Sequence, residues 1–282
     1  MPLQPFFSVL RDLTRRPLSL LGTALVVIFV LMAILGPVIA PHEFDELIRG
    51  AARKPPSLEH LFGTDRLGRD VFSRVLWGAR EIIALPGIAT AISVIFGTSL
   101  GLFIGYYSGW IDEIISRVLD TLLAIPALVL ALVMIGTIGS SPVGIIIVIV
   151  LLYTPIVTRV IRSATLNVRS SGYVEAAKLR GESTTYILFR EILPSVLPAL
   201  TVEAALRFSY AIFLTASLGF LGLGVQPPSP DWGRMVAEAR VNVSQTPWEL
   251  WFPAAAIALL VIGVNLLADG LRRVFRYEGS VR

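Results

Sequence analysis

The sequence contains no cysteine, only two histidines and few charged residues. Without cysteine the chain can form neither a disulfide bond nor a thiolate metal site, and a cysteine nucleophile is excluded as well. The histidines, His42 and His60, both lie in a polar segment between two apolar runs. We therefore expect no metal site in this chain.

Charged residues make up 16% of the 282 residues, well below the roughly 25% of soluble domains. The mean hydropathy is +0.75, and several apolar runs reach the roughly 20 residues that a helix needs to cross a bilayer. The chain is therefore predicted to be an integral membrane protein. Lys and Arg beside membrane spans explain its net charge of +4 better than nucleic-acid binding, whose signature is a contiguous basic patch.

Six apolar runs are long enough to be membrane spans, and the predicted fold is an all-α integral membrane protein. The hydrocarbon layer offers no water to satisfy backbone groups, and the strands of a membrane barrel would alternate in polarity and be shorter. The first run exceeds the roughly 7 to 15 apolar residues of a signal peptide, so we interpret it as a retained span. We divide the chain into 1–83, with the first span and an outer loop, and a five-helix domain, 84–282. The six runs are 18–40, 84–107, 118–138, 142–161, 200–223 and 251–267.

Lys and Arg near span ends indicate which side of the membrane each segment faces. Arg11, Arg15 and Arg16 precede the first span, so the N-terminus is predicted to be cytoplasmic. Counting crossings from there places the basic loop 162–199 and the basic C-terminal tail in the cytoplasm as well. The first outer loop, 41–83, has as many acidic as basic residues, and the charge bias is weak in long loops.

Asp, Glu, His, Lys and Arg are missing from the middle of the spans: the stretches 121–138, 142–158 and 208–223 contain none of them. Ion-driven transporters usually keep titratable groups at membrane depth, and an enzyme would need a nucleophile with a base or a set of metal ligands. Glu203 and Arg207 are four residues apart near the inner end of the fifth span and can form a pair. We interpret Arg207 as reaching the cytoplasmic interface rather than acting in a transport path.

Prolines and glycines within the spans predict local geometry. Pro126 and Pro155 each remove a backbone hydrogen bond and tend to kink a helix. A packing irregularity and a hinge for gate movement both remain open for these prolines. Gly97, Gly101 and Gly105 recur at every fourth position of the second span, which predicts the close approach of another helix.

The charged stretch 173–194, YVEAAKLRGESTTYILFREILP, interrupts the apolar pattern. Its first part predicts a short helix that ends where Gly181 adopts a left-handed conformation. A second short helix is predicted to begin near Ser183 and to end at Pro194 and Pro198. Such a hairpin is too short to cross the bilayer. A position on the lipid surface is one interpretation, but the polar turn and the alanine-faced first helix favour docking into a protein groove.

Six positions of this stretch carry a resemblance to a known family: Glu175, Ala176, Ala177, Gly181, Leu193 and Pro194. The stretch resembles the EAA loop of ABC importer permeases, a cytoplasmic plug for the ATP-binding subunit. The family pattern has an apolar residue where this chain has Glu191. FGTDRLGRDVFSRVLWGARE at 62–81 and SLGFLGLGVQPPSPDWGRM at 217–235 resemble segments of the C-type permeases of dipeptide and oligopeptide importers. The likeness covers most of the chain.

The resemblance implies a type I ABC importer permease-like fold in the bacterial inner membrane, with both termini cytoplasmic and an EAA coupling loop within 162–199. It implies a heterodimer with a second permease subunit, joined by two ATPase subunits and an extracytoplasmic binding protein. The sequence has no GxxxxGK[ST] phosphate loop. We therefore expect no cofactor in this chain, with ATP and Mg bound by the partner subunits and lipid around the spans.

The two outer motifs allow a structural or a docking role. Asp70 and Arg74 have the spacing of an i,i+4 pair on an amphipathic helix leading into the second span, which favours a scaffold over contact with the binding protein or the substrate. The stretch QPPSPDW predicts a stiff outer loop with an aromatic interface anchor. The candidate residues for docking of the binding protein are Gln226, Pro227, Pro228 and Trp232.

The sequence thus predicts a permease subunit that conducts di- or oligopeptides inward without catalysis of its own. The alternative is the same machinery with nickel, glutathione or another small solute as cargo, because the resemblance implies that the binding protein selects the cargo. An ion-coupled secondary transporter and a membrane-embedded enzyme are more remote, because the spans lack the side chains that either would need.

Overall fold

A computed structural model describes residues 16–279, and Arg11 and Arg15 lie outside the described residues. The described chain is helical apart from loops and one isolated bridge between Thr64 and Asp70. A short 3₁₀ turn, Arg240–Asn242, follows the helix Trp232–Ala239. The helices are α1 (Pro17–Ile39), α2 (Val71–Tyr107), α3 (Trp110–Ala124), α4 (Ala127–Ile138), α5 (Pro142–Val168), α6 (Gly172–Leu179), α7 (Thr184–Phe220), α8 (Trp232–Ala239) and α9 (Pro247–Gly279).

The predicted all-α membrane fold is confirmed, with one span broken. Helices α1, α2, α5, α7 and α9 are each long and apolar enough to cross a membrane. Helices α3 and α4 make a sixth span if they are taken together, although they are bent by 88° relative to each other. The break falls at Ile125 and Pro126, as a proline that cannot continue a helix would require. Pro155, in contrast, lies inside α5 without ending it.

Several spans extend beyond their predicted bounds. The second, predicted from 84, begins at Val71, so a continuous helix crosses the boundary that we drew at 83. The fifth, predicted from 200, belongs to the longer helix Thr184–Phe220. Hydropathy identifies only the segment in contact with lipid, whereas a helix continues wherever its polar turns can pack on protein or face water.

The predicted close contact at the small residues of α2 is confirmed, and its partner is α5. A Cβ atom on Gly97 would lie 2.7 Å from Cβ of Val157, and one on Gly101 would lie 2.7 Å from the carbonyl oxygen of Thr158. Gly105 meets Thr165 in the same way. Since glycine has no Cβ, the two backbones approach more closely than any larger residue would permit.

Helix α1 packs along α9 and against α2. A Cβ on Gly22 of α1 would lie 2.6 Å from Cβ of Leu266 in α9, and Gly263 faces α1 in the same way. Phe29 of α1 contacts the ring of Trp232 edge-to-face, with ring centroids 5.9 Å apart. The resulting cluster joins α1, α2, α7, α8 and α9 into one apolar core below the outer loops.

Candidate coupling and docking sites

The predicted turn of the charged hairpin is confirmed. Gly181 has φ +75° and follows α6. The amide of Gly181 donates to the carbonyl of Lys178 over 3.0 Å, and the amide of Glu182 donates to the carbonyl of Ala177 over 3.2 Å. This pair of bonds is the Schellman arrangement, which satisfies the last carbonyls of the helix and requires a residue in the left-handed region.

Helix α6 is fixed by a small apolar face. Val174 and Ala177 are fully buried and pack in a cluster with Ile187 and Ile192 of α7 and Ile161 of α5. Ala177 therefore contacts the body of the protein and is not available to a partner, in contrast to the prediction of an exposed alanine pair. The alternation follows from the helical period, since residues 174 and 177 share one face and 175 and 176 lie away from it.

Glu175 and Ala176 are exposed, as a docking surface requires. The exposed apolar residues of the hairpin are Tyr173, Leu179, Tyr186 and Phe189. Leu179, next to the turn, is 89% exposed. An apolar side chain held this far into solvent at a rigid turn is typical of an interaction site.

The prediction of a separate second helix that ends at Pro194 and Pro198 is wrong. The chain runs from Thr184 through a π-helical stretch, Ile187–Ile192, into the fifth span. Pro194 is exposed in the first turn after this stretch, where its missing N–H costs little. Pro198 lies inside the helix, and Leu193 is half-buried beside the cluster of α6. The hairpin is therefore a direct extension of the fifth span.

An ion pair across the turn was not predicted from the sequence. Nη2 of Arg180 lies 3.2 Å from Oε1 of Glu191, so the residue that departs from the family pattern has a local partner. The opposite charges on the two sides of Gly181 were the available signal, but the residues lie on two different helices, and helical spacing predicts pairs only within one helix. The pair is half-exposed and links the two arms of the hairpin.

The pair predicted between Glu203 and Arg207 is confirmed, with 2.7 Å between Oε1 and Nε. Both side chains are largely buried, and the guanidinium group of Arg207 lies 4.9 Å from the ring centroid of Tyr210. A cation close to an aromatic ring is stabilised by the charge distribution of the ring. The guanidinium group also lies 5.6 Å from the ring centroid of Tyr153, so Arg207 is held by side chains of both α7 and α5.

On the opposite side of the molecule, the two motifs 62–81 and 217–235 pack together. The indole Nε1 of Trp232 donates to the carbonyl of Val75 over 3.0 Å. Trp232 is fully buried, so the prediction that it anchors an interface is wrong, and it does not belong to a docking surface. Gly78 makes room for it, because a Cβ there would lie 2.5 Å from the indole nitrogen.

A network of ion pairs joins the segment 62–81 to α8. Arg69 and Arg74 both reach the carboxylate of Asp65, Arg74 over 3.3 Å. Arg69 also lies 3.4 Å from Glu238 of α8, which in turn lies 3.0 Å from Arg234. Although burial acts to raise it, the guanidinium groups of Arg234, Arg74 and Arg69 hold the pKa of Glu238 below its usual value.

The predicted pair between Asp70 and Arg74 is wrong. Oδ2 of Asp70 accepts from the backbone amide of Ser73 over 2.8 Å, and Oδ1 lies 3.1 Å from Nδ1 of the buried His60. Asp70 therefore caps the start of α2, a role that aspartate fills at many helix N-termini. Arg74 pairs with Asp65 instead. Both contacts support the scaffold interpretation of 62–81.

Asp231 caps α8 with a hydrogen bond of 2.8 Å from the amide of Arg234. Its burial raises the pKa of Asp231 to about 6, and the charge of Glu81 acts in the same direction. Asp231 also fills the space above Gly219, where a Cβ would collide with its carboxylate. These contacts fix the end of the loop that precedes α8.

Three of the four candidate docking residues are available at the surface. Gln226, Pro227 and Pro228 are exposed. The side chain of Gln226 is held by Arg234, whose Nη1 donates to Oε1 over 3.2 Å. The loop therefore presents a fixed surface made of these three residues.

Two family models match the chain. Residues 97–276 match the family described as binding-protein-dependent transport system inner membrane component, and residues 4–56 match the N-terminal TM domain of oligopeptide transport permease C.

Three curated relatives cover most of the chain. The dipeptide transport system permease protein DppC of Alkalihalophilus pseudofirmus is 38% identical over 95% of this chain and 88% of its own. The glutathione transport system permease protein GsiD of Escherichia coli O157:H7 is 39% identical over 95% of this chain and 89% of its own. The probable D,D-dipeptide transport system permease protein DdpC of Escherichia coli K12 is 40% identical over 91% of this chain and 86% of its own.

Among solved structures, a chain from the inward facing MetNI methionine ABC transporter superposes with a TM-score of 0.54 and 18% identity. The superposition covers 70% of this chain and 95% of the transporter chain. This likeness supports the fold. Together with the family matches and the close relatives, it shows that the chain is a multi-pass inner membrane protein of the binding-protein-dependent transport system inner membrane component family, among the dipeptide and oligopeptide ABC importer permeases.

Proposed function

We propose that this chain forms half of the translocation pathway of an ATP-driven importer for di- or oligopeptides. The observation that carries the proposal is the hairpin of α6 and the start of α7, which holds exposed side chains such as Leu179 in a fixed position at the end of two spans. The hairpin lies in the segment that the distribution of basic residues assigns to the cytoplasm.

The complete importer in this proposal contains a second permease subunit, two ATPase subunits and an extracytoplasmic binding protein. ATP and Mg are bound by the ATPase subunits, since this chain has no phosphate-cradling loop in its sequence. The chain itself supplies no catalysis. Exposed Gln226, Pro227 and Pro228 receive the binding protein on the outer side.

The coupling step follows from how α6 is anchored. Val174 and Ala177 belong to one buried apolar cluster that includes side chains of α5 and α7, so a force on α6 is transmitted to both helices. Closure of the ATPase subunits around ATP would displace the hairpin, with Gly181 preserving its shape. Movement of two spans relative to the others would then change the access of the cavity from one side to the other.

Glutathione is a second candidate cargo, because GsiD, a glutathione transport system permease, is as similar to this chain as the dipeptide permeases are. Glutathione and short peptides share a peptide bond and free carboxylates.

The test uses the complex purified with its ATPase subunits and its binding protein and reconstituted into vesicles. We expect labelled dipeptide to accumulate only with ATP, and an imposed proton gradient without ATP to give no uptake. Accumulation driven by the gradient alone would refute the proposal in favour of a secondary transporter. Competition by glutathione or by unlabelled dipeptide then identifies the cargo.

A further inference from the structure

Helix α3 lies between two breaks in the helical chain. On its N-terminal side, Ser108 and Gly109 have φ of +53° and +76°, a region that most residues avoid. On its C-terminal side, Ile125 and Pro126 separate it from α4, at 88°. A helix with such a connection at each end can change its orientation as a unit, since neither break is bridged by a continuous helical hydrogen-bond ladder.

Two ion pairs hold α3 against α5. The guanidinium group of Arg162 makes a two-point contact with the carboxylate of Asp112, with 2.6 Å between Nη2 and Oδ2, and Asp112 is buried. Two turns further along α3, Oδ1 of Asp120 lies 3.3 Å from Nη2 of Arg159. Two-point contacts between a guanidinium group and a carboxylate fix orientation as well as distance.

Elsewhere the contact between these helices is open. An apolar groove of about 860 Å³ separates parts of α3 from α2 and α5, and its walls include Phe96, Phe103 and Leu122. The outer side of α3 is exposed at Trp110, with 72% of its surface accessible. Apolar packing therefore fixes α3 only in part. The largely buried pair of Asp112 and Arg162 contributes more to its position than the exposed pair of Asp120 and Arg159.

The end of α5 that carries these arginines leads directly to the coupling hairpin. Arg169, the residue after α5, donates to the hydroxyl of Ser108 and to the carbonyls of Gly105 and Tyr106. Helix α6 begins at Gly172. One side chain at the base of the hairpin thus also holds the break that precedes α3.

We propose that Asp112 and Asp120 are positioning residues that make α3 follow α5 when the coupling hairpin moves. Because only Ile125 and Pro126 join α3 to α4, a movement of α3 displaces the inner end of α4, the outer half of the third span. The ion pairs thereby connect the docking of the ATPase to the opening of the cavity. This inference rests on the proposed function, since it assumes an ATPase at the hairpin.

The first test compares Asp112→Asn with Glu113→Gln in the reconstituted importer. Glu113 is the matched control, because it pairs with Arg117 of the same helix over 2.9 Å and holds nothing on α5. We expect Asp112→Asn to lower cargo uptake per ATP hydrolysed by about tenfold, within the range usual for coupling between sites. Loss of a buried partner also lowers abundance, so uptake and ATP hydrolysis are compared per assembled complex, and basal hydrolysis per complex should stay within about twofold of wild type. Every measurement on Glu113→Gln should stay within about twofold of wild type.

Charge exchange provides the second test, at the more exposed pair. Asp120→Arg should reduce uptake per ATP, and adding Arg159→Asp should restore it, because the exchanged charges can meet again across the two helices. A structural role without coupling would alter complex abundance in the single variant and leave uptake per ATP unchanged.

The outcomes separate the two proposals. A wild-type complex without ATP-driven uptake refutes the proposed function itself. Normal wild-type uptake together with a normal ratio of uptake to ATP hydrolysis in Asp112→Asn refutes only the role of the ion pairs, as does failure of the exchanged pair to recover.

Discussion

Substitution of Gly181 by valine should disable the coupling hairpin while leaving the rest of the protein intact. Apart from the two adjoining residues, no heavy atom of the described residues lies within 4 Å of the position that a Cβ would take at Gly181, so crowding contributes nothing. The cost arises from the backbone at φ +75°, where an L-residue loses roughly 1–2 kcal/mol and a β-branched one more. Relaxing this strain breaks the bonds from Gly181 and Glu182 to the last turn of α6.

The expected size of the effect follows from this cost. A penalty of about 1.4 kcal/mol lowers the equilibrium ratio of correct to relaxed hairpin geometry about tenfold, which is the upper limit of the loss in its population. Gly172→Val is the matched control, because Gly172 begins the same helix, also faces open space and does not have a left-handed φ. Substitutions at such surface positions usually change stability by less than about 0.5 kcal/mol.

Both variants are assayed at equal abundance in the membrane. The measurements are ATPase subunit recovered per permease and ATP-driven uptake into vesicles, with hydrogen exchange at the amide of Glu182 reporting whether the turn has opened. We expect a loss of up to about tenfold for Gly181→Val and less than about twofold for Gly172→Val. Wild-type recovery and uptake in Gly181→Val, with a turn shown to be open, would refute the coupling role of the hairpin.

Three further predictions concern sidedness, packing and pH. Since the chain has no cysteine of its own, cysteines introduced at Ser57 and Ser170 can be labelled individually. They should react from opposite sides of the membrane, Ser57 from outside, and labelling of both from one side would contradict the six-span topology. Gly101→Val should abolish stable accumulation because its side chain would collide with α5, whereas Gly136→Val, in open space, should be tolerated; equal abundance of the two in membranes would show that the helices do not pack as described. The pKa of Asp231 is raised to about 6, so its ionisation as the pH rises from about 4 through 6 destabilises the folded state by up to about 3 kcal/mol. Asp231→Asn should therefore melt at a higher temperature than wild type in detergent at pH 8 and lose this advantage by pH 4. A gain in melting temperature that does not depend on pH would contradict the raised pKa.

Turns, helix breaks and one close helix contact were predictable from the sequence. The small residues at every fourth position of the second span indicated a helix contact, and the structure places α5 against them at Gly101. The left-handed turn at Gly181 could be placed because glycine followed a helical pattern with basic residues in its last turn. The break at Pro126 follows from the same kind of argument. These features depend on neighbouring residues or on one helical face.

Features that depend on distant partners could not be predicted in this way. Trp232 was assigned to an interface because tryptophan is common there, yet it is buried against α2, a segment more than a hundred residues earlier in the sequence. Asp70 and Arg74 had the spacing of a pair, but capping of α2 and a contact with Asp65 prevail. Helical spacing shows which residues can meet and does not show which competing partner is preferred.

Pro194 shows a further limit. Proline within a helical pattern usually indicates an end, but a π-helical stretch precedes it and a new first turn begins there. A change in the hydrogen-bond pattern of the backbone, which leaves no mark in hydrophobic periodicity, allows the helix to continue.

The most direct test of the central claim is cross-linking from the tip of the hairpin. Leu179→Cys and Leu58→Cys each introduce a single thiol in place of a leucine that is 89% or 99% exposed, one at the coupling hairpin and one in the outer loop. In the assembled importer, a thiol cross-linker should join Leu179→Cys, and not Leu58→Cys, to an ATPase subunit. Failure of Leu179→Cys to reach the ATPase, or an ATPase adduct with Leu58→Cys, would contradict the assignment of this hairpin as the site where ATP hydrolysis is coupled to transport.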